Sequence, residues 1–242
     1  MFKQLLQQLK KRKITHCAAV IVAAGQSSRM KGEDKILLQL EGRSVIDRTI
    51  EQFQNSEYVN EIVIVTRPDL KGYLQSLCKA NKYDKVLSIT EGGDTRVRSV
   101  MLGLDHVSDK RGLVAVHDGA RPLVTVDLIQ ETIGKAETFH AAAPAIPVKD
   151  TIKIAKNCIV TQTPSRSDLY AVQTPQVFDF DLLRGALQNA LQKNLPITDD
   201  CSAVEAMGMS VYLTSGSEEN IKITTPMDID LAEAILRRRK QS

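Results

Sequence analysis

The sequence has no tryptophan and few aromatics of any kind: five Phe and five Tyr make 4% of its 242 residues. Its basic clusters, "KKRK" at 10–13 and "RRRK" at 237–240, therefore carry no interleaved rings on which bases could stack. With a net charge of only +3, this argues against a nucleic-acid partner, and both clusters read as solvated helix ends. The second suits a helix C-terminus. Cysteine is scarce too. Cys17, Cys78, Cys158 and Cys201 lie far apart with no C-x-x-C pair, which argues against a zinc knuckle, a disulfide framework and a redox motif. No apolar run is long enough to cross a bilayer. No h-region precedes a cleavage site, because "AAVIVAAG" reads as a strand. No membrane, no nucleic acid and a reducing cytoplasm are the expectations. There is also no linker rich in Pro, Gly or Ser, and no repeat.

What is present is ordinary globular material, 43% apolar and 25% charged, in a chain long enough to bury a sizeable core. From Cys17 onward, short apolar strands read at 17–23, 61–66, 85–89, 112–117 and 141–146. Helical patterns lie between them, such as Val45, Ile46, Ile50, Phe53 and Val97, Val100, Met101, Leu104. Unbroken Val/Ile runs mean strands covered on both faces. The alternation means an α/β fold with a mostly parallel sheet and right-handed crossovers. Ligands in such sheets sit at the carboxyl ends of strands, which selects the loops 24–35, 90–99, 117–122 and 214–222.

Residues 17–242 read as a single domain, preceded by an extension at 1–16 in which Phe2, Leu5, Leu6 and Leu9 have helical spacing. The stretch 148–178 breaks the alternation. "TIKIA" and "CIVTQT" flank the turn Lys156-Asn157 and predict a hairpin arm. Such an arm needs cover, and a second subunit is a natural source; a simple excursion of the same sheet is the alternative. Helices follow at 179–191, with Phe180, Leu183, Leu187 and Leu191 inward, and at 198–208, ending at Gly208. Before the last helix Thr225 is placed to cap, Pro226 suits the first helical position, and Asp228 completes a capping-box-like pattern.

Three stretches carry chemistry. In "VIVAAGQSSRMKGEDKIL" (20–37) a buried strand ends at Gly25 and is followed by Arg29, Lys31 and Lys35. Freed backbone N–H groups ringed by cations can cradle phosphates, although the spacing fits neither the Walker A loop nor the dinucleotide fingerprint. In "EGGDTRVRS" (91–99), Gly92 and Gly93 permit close backbone approach to a flat ligand, and Asp94 and Ser99 offer hydrogen bonds. A tight turn before a helix capped by Asp94 explains that stretch equally well. In "VAVHDGARP" (114–122), Asp118 and Arg121 follow a buried strand, where an acidic residue commonly meets Mg²⁺. His117 reads as a packed strand-end histidine without a partner for base catalysis.

The ordered motifs "AAGQSSRM", "EGGDTRVRSV", "VHDGARP", "PVKDTIK", "AVQTPQVF", "TDDCSAVE" and "NIKITTPMD" resemble the 2-C-methyl-D-erythritol 4-phosphate cytidylyltransferase family, over residues 17 to about 236. The resemblance implies a Rossmann-like nucleotidyltransferase fold with a protruding β-arm, a homodimer and Mg²⁺. It implies transfer of CMP from CTP to the methylerythritol phosphate, with release of pyrophosphate. Carried over by position, Arg29 and Lys35 would stabilise the transition state. Ala23, Ala24, Gly25, Gln26, Ser28, Gly92, Gly93, Asp94 and Ser99 would bind the nucleotide. Asp118, Arg121, Thr151, Thr174 and Thr198 would line the metal and substrate region, with Asp118 the metal ligand. Arg166 and Lys222 would position the acceptor, with Thr151 and Arg166 reaching across from the partner's arm.

The chain departs from that pattern in two places. The spacer "MKGED" before Lys35 is a residue shorter and lacks the proline expected before the lysine, so Lys31 competes with Lys35 for the role. Gly119 stands where alanine is expected. The rival readings are the same chemistry on another polyol phosphate such as ribitol 5-phosphate, a catalytically inactive nucleotide-binding protein, and a nicotinamide dehydrogenase. The last is disfavoured by the missing fingerprint glycines. No Ser-His or Cys-His pair is evident, and joining two phosphates requires none, because the nucleophile is already an anion.

Overall fold

The computed structural model describes residues 16–25, 34–110 and 112–241. The helical reading of the first fifteen residues, and the calls on Gln26, Ser28, Arg29 and Lys31, lie outside the described residues.

Four parallel strands form half of the central sheet. These are β1 (Cys17–Ala23), β4 (Glu61–Thr66), β5 (Val86–Glu91) and β6 (Leu113–Asp118), in the order β5-β4-β1-β6. Beyond β6 come β11 (Gln176–Asp179), β7 (Ala141–Pro147) and β12 (Tyr212–Ser215). β11 runs antiparallel to both its neighbours, and β10 (Tyr170–Val172) continues its path along β7. β12 returns parallel on the far side of β7. The sheet is thus mixed, with one reversed strand, broken at Gln173-Thr174-Pro175, inserted into a parallel frame. A short hairpin, β2 (Gln39–Leu40) and β3 (Arg43–Ser44), stands apart.

Alternation along the strands splits the core in two. Cys17, Ala19, Ile21 and Ala23 of β1 face one side, where they meet α1 (Val45–Asn55), α2 (Lys71–Ala80) and α4 (Val126–Phe139). Ala18 and Val20 face the other, against α3 (Arg96–Asp105), α5 (Phe180–Gln192) and α6 (Asp200–Glu205). The last helix, α7 (Pro226–Gln241), packs Ala232 and Ile235 on Leu40, Val45 and Leu123 in a smaller cluster.

The local chemistry explains the boundaries. Ser44 caps α1 by accepting from the Asp47 N–H at 3.3 Å. A capping box of Asp199 and Ser202 opens α6. At α7 the Asp228 carboxylate collects the N–H groups of Thr224 and Thr225 at 2.8 and 2.7 Å, as the sequence pattern anticipates. Other details differ. β6 runs one residue further than expected, so Asp118 ends the strand instead of following it. In α5 Leu191 is exposed, while Phe180, Leu183 and Leu187 point inward.

The arm hairpin pairs β8 (Ile154–Lys156) with β9 (Ile159–Gln162), and its turn is Asn157-Cys158, one residue beyond the predicted Lys156-Asn157. Both turn residues have positive φ, 50° and 63°, the backbone that lets two antiparallel strands keep their natural twist across a two-residue turn.

Candidate active site

Within the parallel half the chain moves outward from β1 to β4 and β5, then returns to the opposite side of β1 as β6. Strand order reverses there, and the loops at the carboxyl ends of β1 and β6 splay apart. A cavity of about 460 Å³ occupies that crevice, within the size range of small-molecule sites. Its walls are the end of β1 (Ala23, Ala24, Gly25), the β5–α3 loop (Gly93, Asp94, Thr95) and the end of β6 (Asp118). Lys35, Arg96, Ser99 and Lys222 also line it.

Asp118 is its electrostatic centre. The Lys222 Nζ lies 2.7 Å from Oδ2, Arg96 Nε 3.7 Å from Oδ1, and Arg121 Nε 3.9 Å from Oδ2. Burial alone would raise the carboxyl pKa. Lys222, Arg96 and Arg121 outweigh it and hold the group well below the usual carboxylate range. The strand-end backbone is fixed from behind. Asp118 N–H donates to Thr174 Oγ1 at 3.1 Å, and Thr174 pairs with His117 Nδ1 at 3.0 Å. His117 Nε2 lies 3.3 Å from the Arg121 carbonyl, so the network assigns the proton to Nε2 and the Thr174 hydroxyl hydrogen to Nδ1. Burial pushes this imidazole down to about 3, which keeps it neutral. It is the packed histidine the sequence indicated, buried beside the Phe53 ring.

The β5–α3 loop is organised by Ser99. Its hydroxyl lies 2.9 Å from the Thr95 carbonyl and 3.3 Å from that of Gly93, and it accepts from the Gly93 N–H at 3.1 Å. Thr95, not Asp94, caps α3, accepting from the Arg98 N–H at 3.2 Å. Asp94 instead stands exposed beside Arg98 at 3.3 Å. Gly92 is required by a close approach within the chain itself. A Cβ there would sit 2.5 Å from Ala24 Cβ, so the loop packs closely on the end of β1. At Gly93 a Cβ would meet Arg98 Cβ at 2.6 Å.

The predicted residues divide into three groups. Ala23, Ala24, Gly25, Lys35, Gly93, Asp94, Ser99, Asp118 and Lys222 converge on the cavity. Arg121 and Thr174 lie behind it; Arg121 Nη1 donates to the Asn220 carbonyl at 2.6 Å and so ties the segment before Lys222 to the end of β6. Thr151, Arg166 and Thr198 do not line it and are exposed, with Arg166 Nη1 on the Lys149 carbonyl at 3.1 Å. Sequence reasoning missed Arg96. Its Nη2 donates to Asp200 Oδ2 at 2.7 Å, and Asp200 is fully buried. Two of the quoted motifs contain these residues, but nothing local shows that they meet. Among the described residues no cluster of three or more His, Cys, Asp or Glu could form an all-protein metal cage, and no helix is long and apolar enough to cross a membrane.

A site of this kind, rich in cations around the Asp118 carboxylate and, among the described residues, without a paired nucleophile and base, suits phosphate chemistry. The comparisons with known proteins agree. The family model described as 2-C-methyl-D-erythritol 4-phosphate cytidylyltransferase matches residues 17–238. Relatives of that name from Desulforamulus reducens and Caldanaerobacter subterraneus subsp. tengcongensis are 45% and 43% identical, each over 91% of this chain and 96% and 99% of their own. The crystal structure of 4-diphosphocytidyl-2C-methyl-D-erythritol synthase from Anaerococcus prevotii superposes with a TM-score of 0.83 at 31% identity, covering 92% of this chain and 96% of that one. Motifs, fold and comparisons meet in one conclusion: the chain belongs to the 2-C-methyl-D-erythritol 4-phosphate cytidylyltransferase family.

Proposed function

We propose that this protein transfers CMP from CTP to 2-C-methyl-D-erythritol 4-phosphate and releases pyrophosphate. The observation that carries the reading is the crevice at the ends of β1 and β6, lined by Lys35, where Arg96 and Lys222 flank the carboxylate of Asp118. A phosphate oxygen of the acceptor attacks the α-phosphorus of CTP. The new P–O bond forms as the bond to the bridging oxygen breaks, and pyrophosphate leaves with that electron pair. No proton need be removed from the nucleophile. Catalysis is then alignment and neutralisation of two polyanions.

In this reading Lys35 and Lys222 contact the reacting phosphates, and Arg29 joins them by family position. Gly93, Asp94 and Ser99 hold the cytosine end through the rigid β5–α3 loop. The residues present fit Mg²⁺, which binds one or two carboxylates plus substrate phosphates in preference to a protein cage. Asp118 would hold it, and the ion would neutralise triphosphate charge.

Thr151 and Arg166 complete the acceptor site from the arm of a second subunit. Support comes from the apolar surface of that region: Ile154, Ile159, Val160 and Tyr170 are all exposed. An apolar patch of this kind on an arm with little core of its own favours burial by a partner. The cytoplasm is the natural compartment for such a reaction, and the three buried free cysteines suit reducing conditions.

The deciding measurement is pyrophosphate release with CTP and Mg²⁺, comparing methylerythritol 4-phosphate with ribitol 5-phosphate. Turnover with the former is expected. Strong turnover only with ribitol phosphate overturns the acceptor assignment, and CTP binding without turnover of either overturns catalysis.

A further inference from the structure

Arg67 is the first residue after β4, and the β1–β4 register sets Thr66 beside Ala23. Its side chain therefore reaches along the end of β1. Nη1 donates to the Gly25 carbonyl at 3.1 Å, and Nη2 to the Asp34 carboxylate. Nε and Nη2 also donate to the Asp69 carboxylate at 3.1 Å each. One guanidinium thus joins Gly25 to Asp34, and both members of the ion pair are mostly shielded: the Arg67 and Asp34 side chains are 21% and 17% exposed.

Asp34 is itself anchored on its other side. Its carbonyl accepts the N–H groups of Leu37 and Leu38 at 2.9 and 3.2 Å, and Oδ1 accepts that of Ile36 at 3.4 Å. Ile36 is buried in the core, and its carbonyl accepts the Ile46 N–H of α1 at 3.0 Å. Lys35 stands between these two fixed points and lines the cavity, as Gly25 does. A planar guanidinium fork imposes direction on both acceptors at once, which a lysine cannot do. It also cancels the negative charge that Asp34 would otherwise place beside a site for polyanions. Asp34 stands directly before Lys35, where the resemblance implies a proline. A proline would restrict the backbone directly; here an ion pair performs the restraint.

We infer that Arg67 is a positioning residue for the reaction: through the Gly25 carbonyl and the Asp34 carboxylate it holds Lys35 at the carboxyl end of β1. This role rests on the nucleotidyl-transfer reading of the cavity and adds a residue that acts only through Lys35.

The test is a double-mutant cycle in the pyrophosphate-release assay, with melting temperature recorded for every variant. Arg67→Ala is expected to lower kcat on the order of tenfold or more, because a misplaced cation loses most of its transition-state contact. The acceptor KM stays within about twofold, since Arg67 does not touch the acceptor. In a Lys35→Ala background the same change costs less than about twofold, because the group it positions is gone. Asp34→Asn added to Arg67→Ala recovers part of kcat by removing the negative charge that Arg67 balanced. If Arg67→Ala does not fold, Arg67→Lys enters the same cycle, keeping the charge without the fork. Equal losses in the wild-type and Lys35→Ala backgrounds, or full activity of the variant, overturn the role alone. A wild-type chain that turns over no acceptor overturns the reaction and the role together.

Discussion

Arg96→Ala tests whether the cavity wall is built on a compensated buried charge. Asp200 has no exposed side-chain surface; Oδ2 takes a 2.7 Å hydrogen bond from Arg96, and Oδ1 has no hydrogen-bond partner among the described residues. Removing the guanidinium leaves a carboxylate in the interior without its ion pair. Breaking a buried pair on one side costs about 3–5 kcal/mol. For a chain of this length each kcal/mol lowers Tm by about 2–4 °C, so a fall on the order of 6–20 °C is expected.

The pH dependence separates this cause from lost packing. Burial pushes the Asp200 carboxyl up, and Arg96 opposes that push. Without Arg96 the folded-state pKa stands further above the unfolded value of about 3.9, so the folded state binds the extra proton between the two values. The deficit against wild type should therefore shrink as pH falls from 7 to 5, and Asp200→Asn should restore much of it at pH 7. Urea denaturation of the wild type, Arg96→Ala and Arg96→Ala/Asp200→Asn at both pH values measures it. A variant within about 1 kcal/mol of wild type at pH 7, or a deficit unmoved by pH and by Asp200→Asn, refutes the reasoning.

Three further outcomes are expected. His117 titrates at about 3 when folded but at about 6.5 when unfolded, so stability falls as pH drops below the unfolded value. Between pH 6.5 and 5 the wild type should lose about 1.5 kcal/mol more than His117→Gln in urea melts, and parallel curves would show another group responsible. Gly103→Ala places a Cβ 2.6 Å from Val20 Cγ1 and 2.8 Å from Val65 Cγ2, where α3 crosses the sheet. The overpacking should exceed the helix-propensity gain and leave a net loss of about 1–2 kcal/mol by calorimetry; a stabilised variant would mean the interface has slack. If the arm of a second subunit completes the site as proposed, mixing Arg166→Ala with Lys222→Ala chains should restore about a quarter of wild-type activity, because half the dimers would be mixed and each would have one intact site. No recovery from proven mixed dimers would place Arg166 in its own chain's site.

Much of the frame is legible in local sequence. The Val/Ile runs of β1, β4 and β6 are buried on both faces, so periodicity and β-branching mark them directly. α1 and α3 show their apolar faces equally well. α2 escaped because only Leu74 and Cys78 are buried in it, and β12 because it is an edge strand whose side chains are mostly exposed. α4 carries an apolar face in Leu128, Ile129, Ile133 and Ala136 at helical spacing. The Asn157-Cys158 turn lay beyond composition, since cysteine rarely takes positive φ.

The sequence by itself determined an α/β chain whose clustered cations follow strand ends, and its ordered motifs pointed to the family. Those are properties of neighbours along the chain, where a period of two or of 3.6 residues decides which side faces the core. The tertiary structure alone decided which charges meet. Arg96 and Asp200 are 104 residues apart, and Arg67 and Asp34 are 33 apart. Their encounters depend on the order of strands in the sheet and on where its direction reverses. Two ends of a sheet converge only once it is assembled, and no local spacing encodes the ion pairs made there.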